Sequence, residues 1–323
     1  MLIIYLKLFS LLFSNMYLYG KSISLGFIYL PLVMLPIEAF KSLDADDFHI
    51  LSIVENRMKS FLYVPLDLIA SDSGFSRGFI LDSLKRMHDM GLVLYKRVPY
   101  EGYVLTYAGY DVLAMKYLVD FNYIVGVGGS LGVGKESDVY MAFTPTEESV
   151  VLKFHRLGVV NLQSATRIRD YLAHKDELPW IFRSKLSAER EFKVLRDVFK
   201  AGVKVPIPIV QNRHVVVMSY VEGDLLYVCD YLPDPHKFFE MILDEMRLSY
   251  NCGYVHGDLS EYNVIVTPDL ECVIIDWPQA VEVNHPSAMM LLERDLRNIV
   301  DFFARRFKLK LNFTDSLSYV LGV

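Results

Sequence analysis

The residues best placed to do chemistry lie between Val255 and Gln279. The stretch Val255-His256-Gly257-Asp258-Leu259-Ser260-Glu261-Tyr262-Asn263 has H-x-D-x4-N spacing, which sets a carboxylate and an amide on one loop. A hairpin turning at Thr267-Pro268-Asp269 and an apolar strand over 272–275 would then return Asp276 beside them. Phosphoryl transfer needs such a set: one carboxylate to orient the nucleophile, and an amide with a second carboxylate to hold Mg2+, which prefers oxygen ligands. Asp258 is therefore the candidate catalytic residue, and Asn263 and Asp276 are candidate metal ligands. His256 reads as a brace for the loop rather than a participant.

Upstream, residues 126–137 read Gly-Val-Gly-Gly-Ser-Leu-Gly-Val-Gly-Lys-Glu-Ser. Gly129 and Gly134-Lys135 match G-x4-G-K, but Glu136 stands where a P-loop needs Ser or Thr, and the pattern after it is a strand, not a helix. A glycine loop between two strands is instead how protein kinases cover ATP phosphates. Val150-Val151-Leu152-Lys153-Phe154 is an apolar strand with one lysine, costly there unless paired. Kinases place a phosphate-binding lysine in such a strand and pair it with a glutamate from the next long helix. Residues 187–200 read as that helix, with Phe192 and Leu195 inward. Glu191 is the preferred partner by position, and Glu189 the surface alternative. Residues 214–221 form a further apolar strand running into Met218-Ser219-Tyr220-Val221-Glu222-Gly223, a hinge whose backbone could bind adenine. Met218 would guard that pocket or pack in the core.

These parts need elements to position them, and a separate pattern precedes them. After Asp44, Asp46 and Asp47, which suit the positive end of a helix, Phe48, Ile50, Leu51, Ile53, Val54 and Met58 recur at helical spacing. A short helix over 66–70 and a turn at Ser71-Asp72-Ser73-Gly74 follow. Ser76 caps a helix to about Met90, with Phe79, Ile80, Leu84 and Met87 as its inward stripe. Residues 92–107 form a hairpin around Pro99-Tyr100-Glu101-Gly102, and a helix over 111–121 leads onward. This order is a winged helix-turn-helix pattern. Its second helix and wing carry Arg77, Lys85, Arg86, Lys96 and Arg97 against Asp82 and Asp89. They are candidate nucleic-acid contacts, with solvated surface as the alternative.

The stretches GVGKESDVY, VLKF, SAEREF, HGDLSEYN and IDWPQ resemble the RIO-type atypical protein kinases, and the winged helix closed by LTYAGYDVLA resembles the Rio-two branch. The resemblance implies an α+β fold, with an N-terminal winged helix-turn-helix followed by a compact bilobal protein-kinase-like (RIO) domain. The expected division is an apolar extension over 1–38, a winged helix over 39–122, an N-lobe over 123–221 and a short C-lobe over 222–323. ATP and Mg2+ would lie between the lobes. By the same resemblance Lys153 contacts phosphates and Glu191 orients it. Gly132, Val133, Gly134, Lys135, Glu136 and Ser137 line the nucleotide loop, while Met218, Tyr220 and Glu222 serve adenine. Asp258 is the catalytic aspartate, Asn263 and Asp276 bind metal, and Asp276 can itself accept phosphate. The implied setting is cytoplasmic, in late maturation of the small ribosomal subunit, with precursor subunits, ribosomal RNA and ribosomal proteins as partners. Trp277 departs from the more usual Phe.

Too little chain follows Gln279 for the activation segment and peptide-binding helices of ordinary protein kinases. Asp295 and a helix over 289–307 can complete a small C-lobe, whose basic end (Arg305, Arg306, Lys308, Lys310) suits either the helix dipole or RNA. Residues 155–185 include Arg156, Arg167, Arg169, His174, Lys175, Arg183 and Lys185, and part of this is expected to be a mobile loop near the nucleotide mouth. Two other functions use similar parts: a small-molecule phosphotransferase of the aminoglycoside-kinase kind, and a non-catalytic winged-helix nucleic-acid regulator.

Composition frames these readings. The 323 residues carry 33 basic and 39 acidic side chains, a formal charge of −6, which excludes a basic coat protein. An apolar fraction of 53% excludes a disordered chain. Three cysteines without a CxxC pair argue against a disulfide framework or a zinc site and suit a reducing compartment. The mean hydropathy of +0.27 owes much to residues 1–37, whose only charges are Lys7 and Lys21. Its charge-free runs fall short of the roughly 18–20 residues of a bilayer span. An anchor, an extension from an upstream start with Met34 as the true start, and a buried or interfacial segment all remain open, and a membrane partner is expected only in the first case.

Overall fold

A computed structural model describes residues 34–134, 136–157 and 180–323. The apolar segment 1–33, Lys135, and Arg167, Arg169, His174 and Lys175 lie outside the described residues. No helix among the described residues is long and apolar enough to cross a membrane.

The N-terminal unit runs α1 (Met34–Ser42), α2 (Ala45–Arg57), α3 (Leu66–Ser73), α4 (Arg77–Asp89), β1 (Val93–Lys96), β2 (Gly102–Leu105) and α5 (Tyr107–Asp120). A capping box starts α2: the Asp44 carboxylate accepts from Asp47 N at 2.9 Å, and the Asp47 carboxylate accepts from Asp44 N. Ser71, Asp72 and Ser73, expected in a turn, are the last turn of α3. The chain leaves the helix at Gly74, whose φ of 71° suits a residue without a Cβ. Phe79 corrects the expected stripe of α4. It is 41% exposed and packs edge-on against Phe75, while Ser83 joins Ile80, Leu84 and Met87 inside, because Phe79 sits in the first turn at the flank of the buried face.

A five-stranded antiparallel sheet follows, with β3 (Gly126–Val133), β4 (Ser137–Phe143), β5 (Ser149–His155), β6 (Pro208–Asn212) and β7 (Val215–Ser219) in the order β3-β4-β5-β7-β6. The glycine-rich segment, expected as a loop, is itself strand β3. Its register shifts around Ser130 let it stay paired while β3 bends toward the Gly134 tip. Helix α6 (Trp180–Lys200) begins earlier than its sequence pattern indicates, so Arg183 and Lys185 are helical rather than on a loop.

Alternation along β7 explains how the sheet is held. Val215 and Val217 join the core made with the winged helix, whereas Val216 and Met218 join the core made with α6 and the C-terminal lobe. The winged helix and the sheet therefore share one core. The second lobe contains β8 (Asp224–Leu225), α7 (Pro235–Asn251), β9 (Tyr254–Val255), β10 (Val264–Val266), β11 (Cys272–Ile274), β12 (Val281–Glu282), α8 (Ala288–Arg306) and α9 (Phe313–Leu321). Strands β11-β10-β8 form one small sheet and β12-β9 another. The loops after β9 and β11 carry His256–Asn263 and Asp276.

Candidate active site

Strand β5 alternates its side chains between two cores, and Lys153 points away from the winged helix. Its ammonium, in a side chain only 7% exposed, lies 2.5 Å from Glu191 Oε1 and 2.5 Å from Asp276 Oδ1. Burial disfavours the charge, yet the two carboxylates outweigh it and raise the lysine above its ordinary pKa. Glu191 is buried on α6, and Glu189 faces solvent. Burial would lift the Glu191 carboxyl, but Lys153 and then His155 bring it down to about 2. Trp277 N donates to the same Oε1 at 3.1 Å, so Glu191 also anchors the segment that bears Asp276. His155 Nδ1 pairs with Ser187 Oγ at 2.9 Å. Its Nε2 is 2.7 Å from Glu191 Oε2 without hydrogen-bond alignment.

The loop after β9 is braced from behind. His256 donates from Nε2 to Ile275 O (3.0 Å) and accepts at Nδ1 from Asp258 N (3.2 Å). Burial depresses its pKa to about 4, so a neutral ring makes both bonds. Gly257 has φ 78°, and a Cβ there would meet Gln279 O at 2.6 Å; only glycine fits this crossing. Its N–H donates to the buried Asp295 carboxylate at 2.7 Å, whose pKa burial raises to about 7. Asp258 projects outward, its side chain 63% exposed, with Arg294 4.0 Å away. Partial burial, then Asp276 and Glu136, raise the Asp258 pKa against the pull of Arg294. Asn263 Nδ2 donates to Asp258 O at 2.8 Å, and Ile275 N donates to Asn263 O, which ties the two loops together. Asp276 has φ 69°, a left-handed conformation uncommon for aspartate and a form of strain that concentrates at functional positions.

A cleft of about 330 Å³ opens beside Lys153 and Asp276, with Ser137 and Glu136 on the sheet side and Gln279 opposite. Gln279 Nε2 donates to Glu136 Oε2 at 3.2 Å and bridges the lobes. Asn263 and Asp276 carry oxygen atoms, the donor type Mg2+ takes together with phosphate oxygens. Gly132, Val133 and Gly134 are exposed at the β3–β4 tip, where Gly134 N donates to Ser137 O. Met218 is buried in the core, while Tyr220 and Glu222 are exposed beyond β7, and none of the three lines this cleft. Tyr220 N is already bonded to Ser149 O, so that amide extends the sheet instead of standing open to adenine.

Arg183, expected in a stretch that is partly a mobile loop near the nucleotide mouth, instead lies on α6 and lines this cleft with Ser187 and Arg190, which sequence reasoning did not single out. Arg156, grouped with that basic stretch, is buried just past β5 and bonded to Asp111 at 2.7 and 3.0 Å and to Asp138 at 2.7 Å. His214 Nε2 pairs with Asp111 at 2.7 Å. The available signal was charged residues bounding apolar strands, at Asp138, Arg156 and His214.

Of the five candidate nucleic-acid contacts, Arg86 is committed to the buried Asp47 carboxylate at 2.6 and 2.7 Å, and Arg77 pairs with Asp67. Lys85, Lys96 and Arg97 are exposed, Arg97 with its guanidinium 5.6 Å from the Tyr95 ring centre. At the end of α8, Arg306 pairs with Asp230.

Comparison with known proteins adds names to this geometry. The RIO domain family matches residues 138–316, and the family described as Rio2, N-terminal, matches 40–120. The RIO-type serine/threonine-protein kinase Rio2 of Methanocaldococcus jannaschii is 39% identical over 253 residues, covering 77% of this chain and 92% of that protein. Serine/threonine-protein kinase rio2 of Dictyostelium discoideum is 37% identical over 270 residues, 84% of this chain; the match spans only 52% of that longer relative. A crystal structure of the Rio2 kinase-ADP/Mg2+-phosphoaspartate complex from Chaetomium thermophilum is similar with a TM-score of 0.75 and 31% identity, covering 87% of this chain and 88% of that one.

Proposed function

The chain belongs to the RIO family, in its Rio2 branch, and from that premise we propose that it is an ATP-dependent phosphotransferase whose chemistry is centred on Lys153, Asp258, Asn263 and Asp276. The observation that carries this reading is the Lys153 ammonium held at 2.5 Å from both Glu191 and Asp276 at the edge of the cleft. Lys153 binds phosphate oxygens, and Glu191 keeps it aimed. Asp258, exposed and on a braced loop, orients the attacking group. Its raised pKa suits an acceptor of the proton that the nucleophile gives up. Asn263 and Asp276 would hold Mg2+, which when bound supplies positive charge to the phosphate oxygens.

The phosphoaspartate named for the Chaetomium relative supports a second role for Asp276, as phosphoryl acceptor. A carboxylate oxygen of Asp276 bonds to the terminal phosphorus while the bond to the bridging oxygen breaks and ADP leaves. Water then cleaves the acyl phosphate, returning the carboxylate, inorganic phosphate and a proton. Family membership also supports a place in late small-subunit maturation, with precursor particles and their RNA meeting the exposed cations of the winged helix. The test is incubation with labelled ATP and Mg2+, alone and with small-subunit precursors. Acid-labile, hydroxylamine-sensitive label that disappears in Asp276→Asn is expected. Stable phosphate passed to an aminoglycoside, or unchanged turnover in Asp258→Ala, would overturn the assignment.

A further inference from the structure

We propose that α6 carries a separate phosphate-binding surface in this cleft, built from Arg183, Ser187 and Arg190, which holds a phosphate group once it has left the nucleotide. The inference rests on the phosphoryl-transfer reading and adds to it where the transferred group resides.

Residues 183, 187 and 190 are spaced by four and three, so they share one helix face, and all three line the cleft that also contains Lys153 and Asp276. The walls hold Arg190 and Ser187 in place. Arg190 donates to Ala280 O at 2.7 Å, close in sequence to Asp276, and Ser187 Oγ is paired with His155 at 2.9 Å. The helix that pairs with the strand lysine in protein kinases is required to bring only a glutamate to the site. Here it brings two guanidiniums and a hydroxyl as well.

Charge explains why they are needed. The Lys153 ammonium is already opposed by two carboxylates at 2.5 Å, so alone it offsets little of a phosphate dianion. Guanidinium groups present forked donors that match phosphate oxygens, and the Ser187 hydroxyl adds a donor when it accepts from His155 Nδ1. The surface is placed to bind a phosphoryl group carried by Asp276 or the inorganic phosphate released from it. The competing account is that Arg183 and Arg190 only balance Glu136 and Asp276.

The experiment uses the full chain and the variants Arg183→Gln, Arg190→Gln and Arg190→Lys, each checked for an unchanged melting temperature. ADP with Mg2+ is titrated by calorimetry. Inorganic phosphate, titrated alone and as an inhibitor of turnover, reads the free ion. Beryllium fluoride added with ADP and Mg2+ reads the aspartate-bound form. Each Gln variant is expected to keep ADP affinity within about twofold and to weaken phosphate or beryllium fluoride about tenfold or more, with Arg190→Lys in between. Binding of both phosphate and beryllium fluoride unchanged in both Gln variants, or neither bound by the wild type, would overturn the surface. Parallel losses of ADP and phosphate affinity would overturn it too, by assigning the arginines to the nucleotide. A wild type that binds phosphate but no ADP would instead sink the phosphoryl-transfer reading.

Discussion

Asp111, on the last helix of the winged unit, and Arg156, just past the end of β5, meet in the interior through two charge-assisted bonds of 2.7 and 3.0 Å. Arg156 comes three residues after Lys153 and one after His155, so the winged helix grips the strand that carries Lys153. Asp138 and His214 close the cluster, and Tyr110 stacks on His214 with ring centres 4.5 Å apart.

Removing one partner from such a cluster strands the other in a dry interior. Asp111→Ala is therefore expected to cost about 3–5 kcal/mol, the usual scale for breaking a buried pair. Because the winged helix and the sheet share a core, the loss should lower one common unfolding transition. Calorimetry that resolves a separate winged-helix transition, with the rest unaltered, would contradict the coupling.

The Lys153–Glu191 pair predicts a kinetic effect of a different kind. Glu191→Gln keeps size and packing but removes the charge that aims the ammonium. The ratio kcat/KM for ATP should fall about a hundredfold or more, the scale of losing one preorganised electrostatic contact. Steady-state turnover measures it, and a fall below threefold would show that Asp276 alone positions Lys153.

Much of the site was legible because its residues violate local expectation. A lysine inside an apolar strand and an H-x-D-x4-N loop before a hairpin are hard to explain except by pairing, and Lys153, Glu191 and Asp276 do meet. Phe79 was misread because hydropathy alone does not show where a buried face ends at its flank and in the first turn. The glycine segment was misread because β3 keeps its pairing through bulges, which no single-residue propensity records. The burial of Arg156 and the helical placement of Arg183 and Arg190 in the cleft wall were not legible, for a shared reason. Charge in a sequence reads as surface, and only tertiary packing shows that one guanidinium is buried among carboxylates and two others line a cleft.

His214 makes stability depend on pH. Burial, opposed by Asp111 and aided by Arg156 and His155, lowers its pKa from 6.5 to about 4. The folded state thus prefers the neutral ring: the contribution is present above pH 6.5 and is lost as pH falls toward 4. The difference corresponds to about 3 kcal/mol at full protonation. His214→Asn should flatten the acid limb between those values. Urea unfolding at pH 7.5 and pH 4.5 compares the two, and equal slopes for variant and wild type would refute the assignment.

The winged helix offers a last prediction, about which cations are available to a partner. Lys85, Lys96 and Arg97 are exposed, whereas Arg86 is bound to buried Asp47 and Arg77 to Asp67. If the face meets RNA, each phosphate contact releases counterions, and affinity falls with salt at a slope of roughly 0.7 to 0.9 per contact. Lys85→Glu with Arg97→Glu should weaken binding to small-subunit precursors and flatten that slope by about two contacts' worth, without lowering the melting temperature. Arg86→Glu should behave differently, because it places a second carboxylate against Asp47. It is expected to lower the melting temperature, with any binding defect following from misfolding. A salt series showing equal affinity for the double variant and wild type would make Lys85 and Arg97 ordinary solvated surface. Loss of binding in Arg86→Glu at unchanged stability would return that residue to the interface.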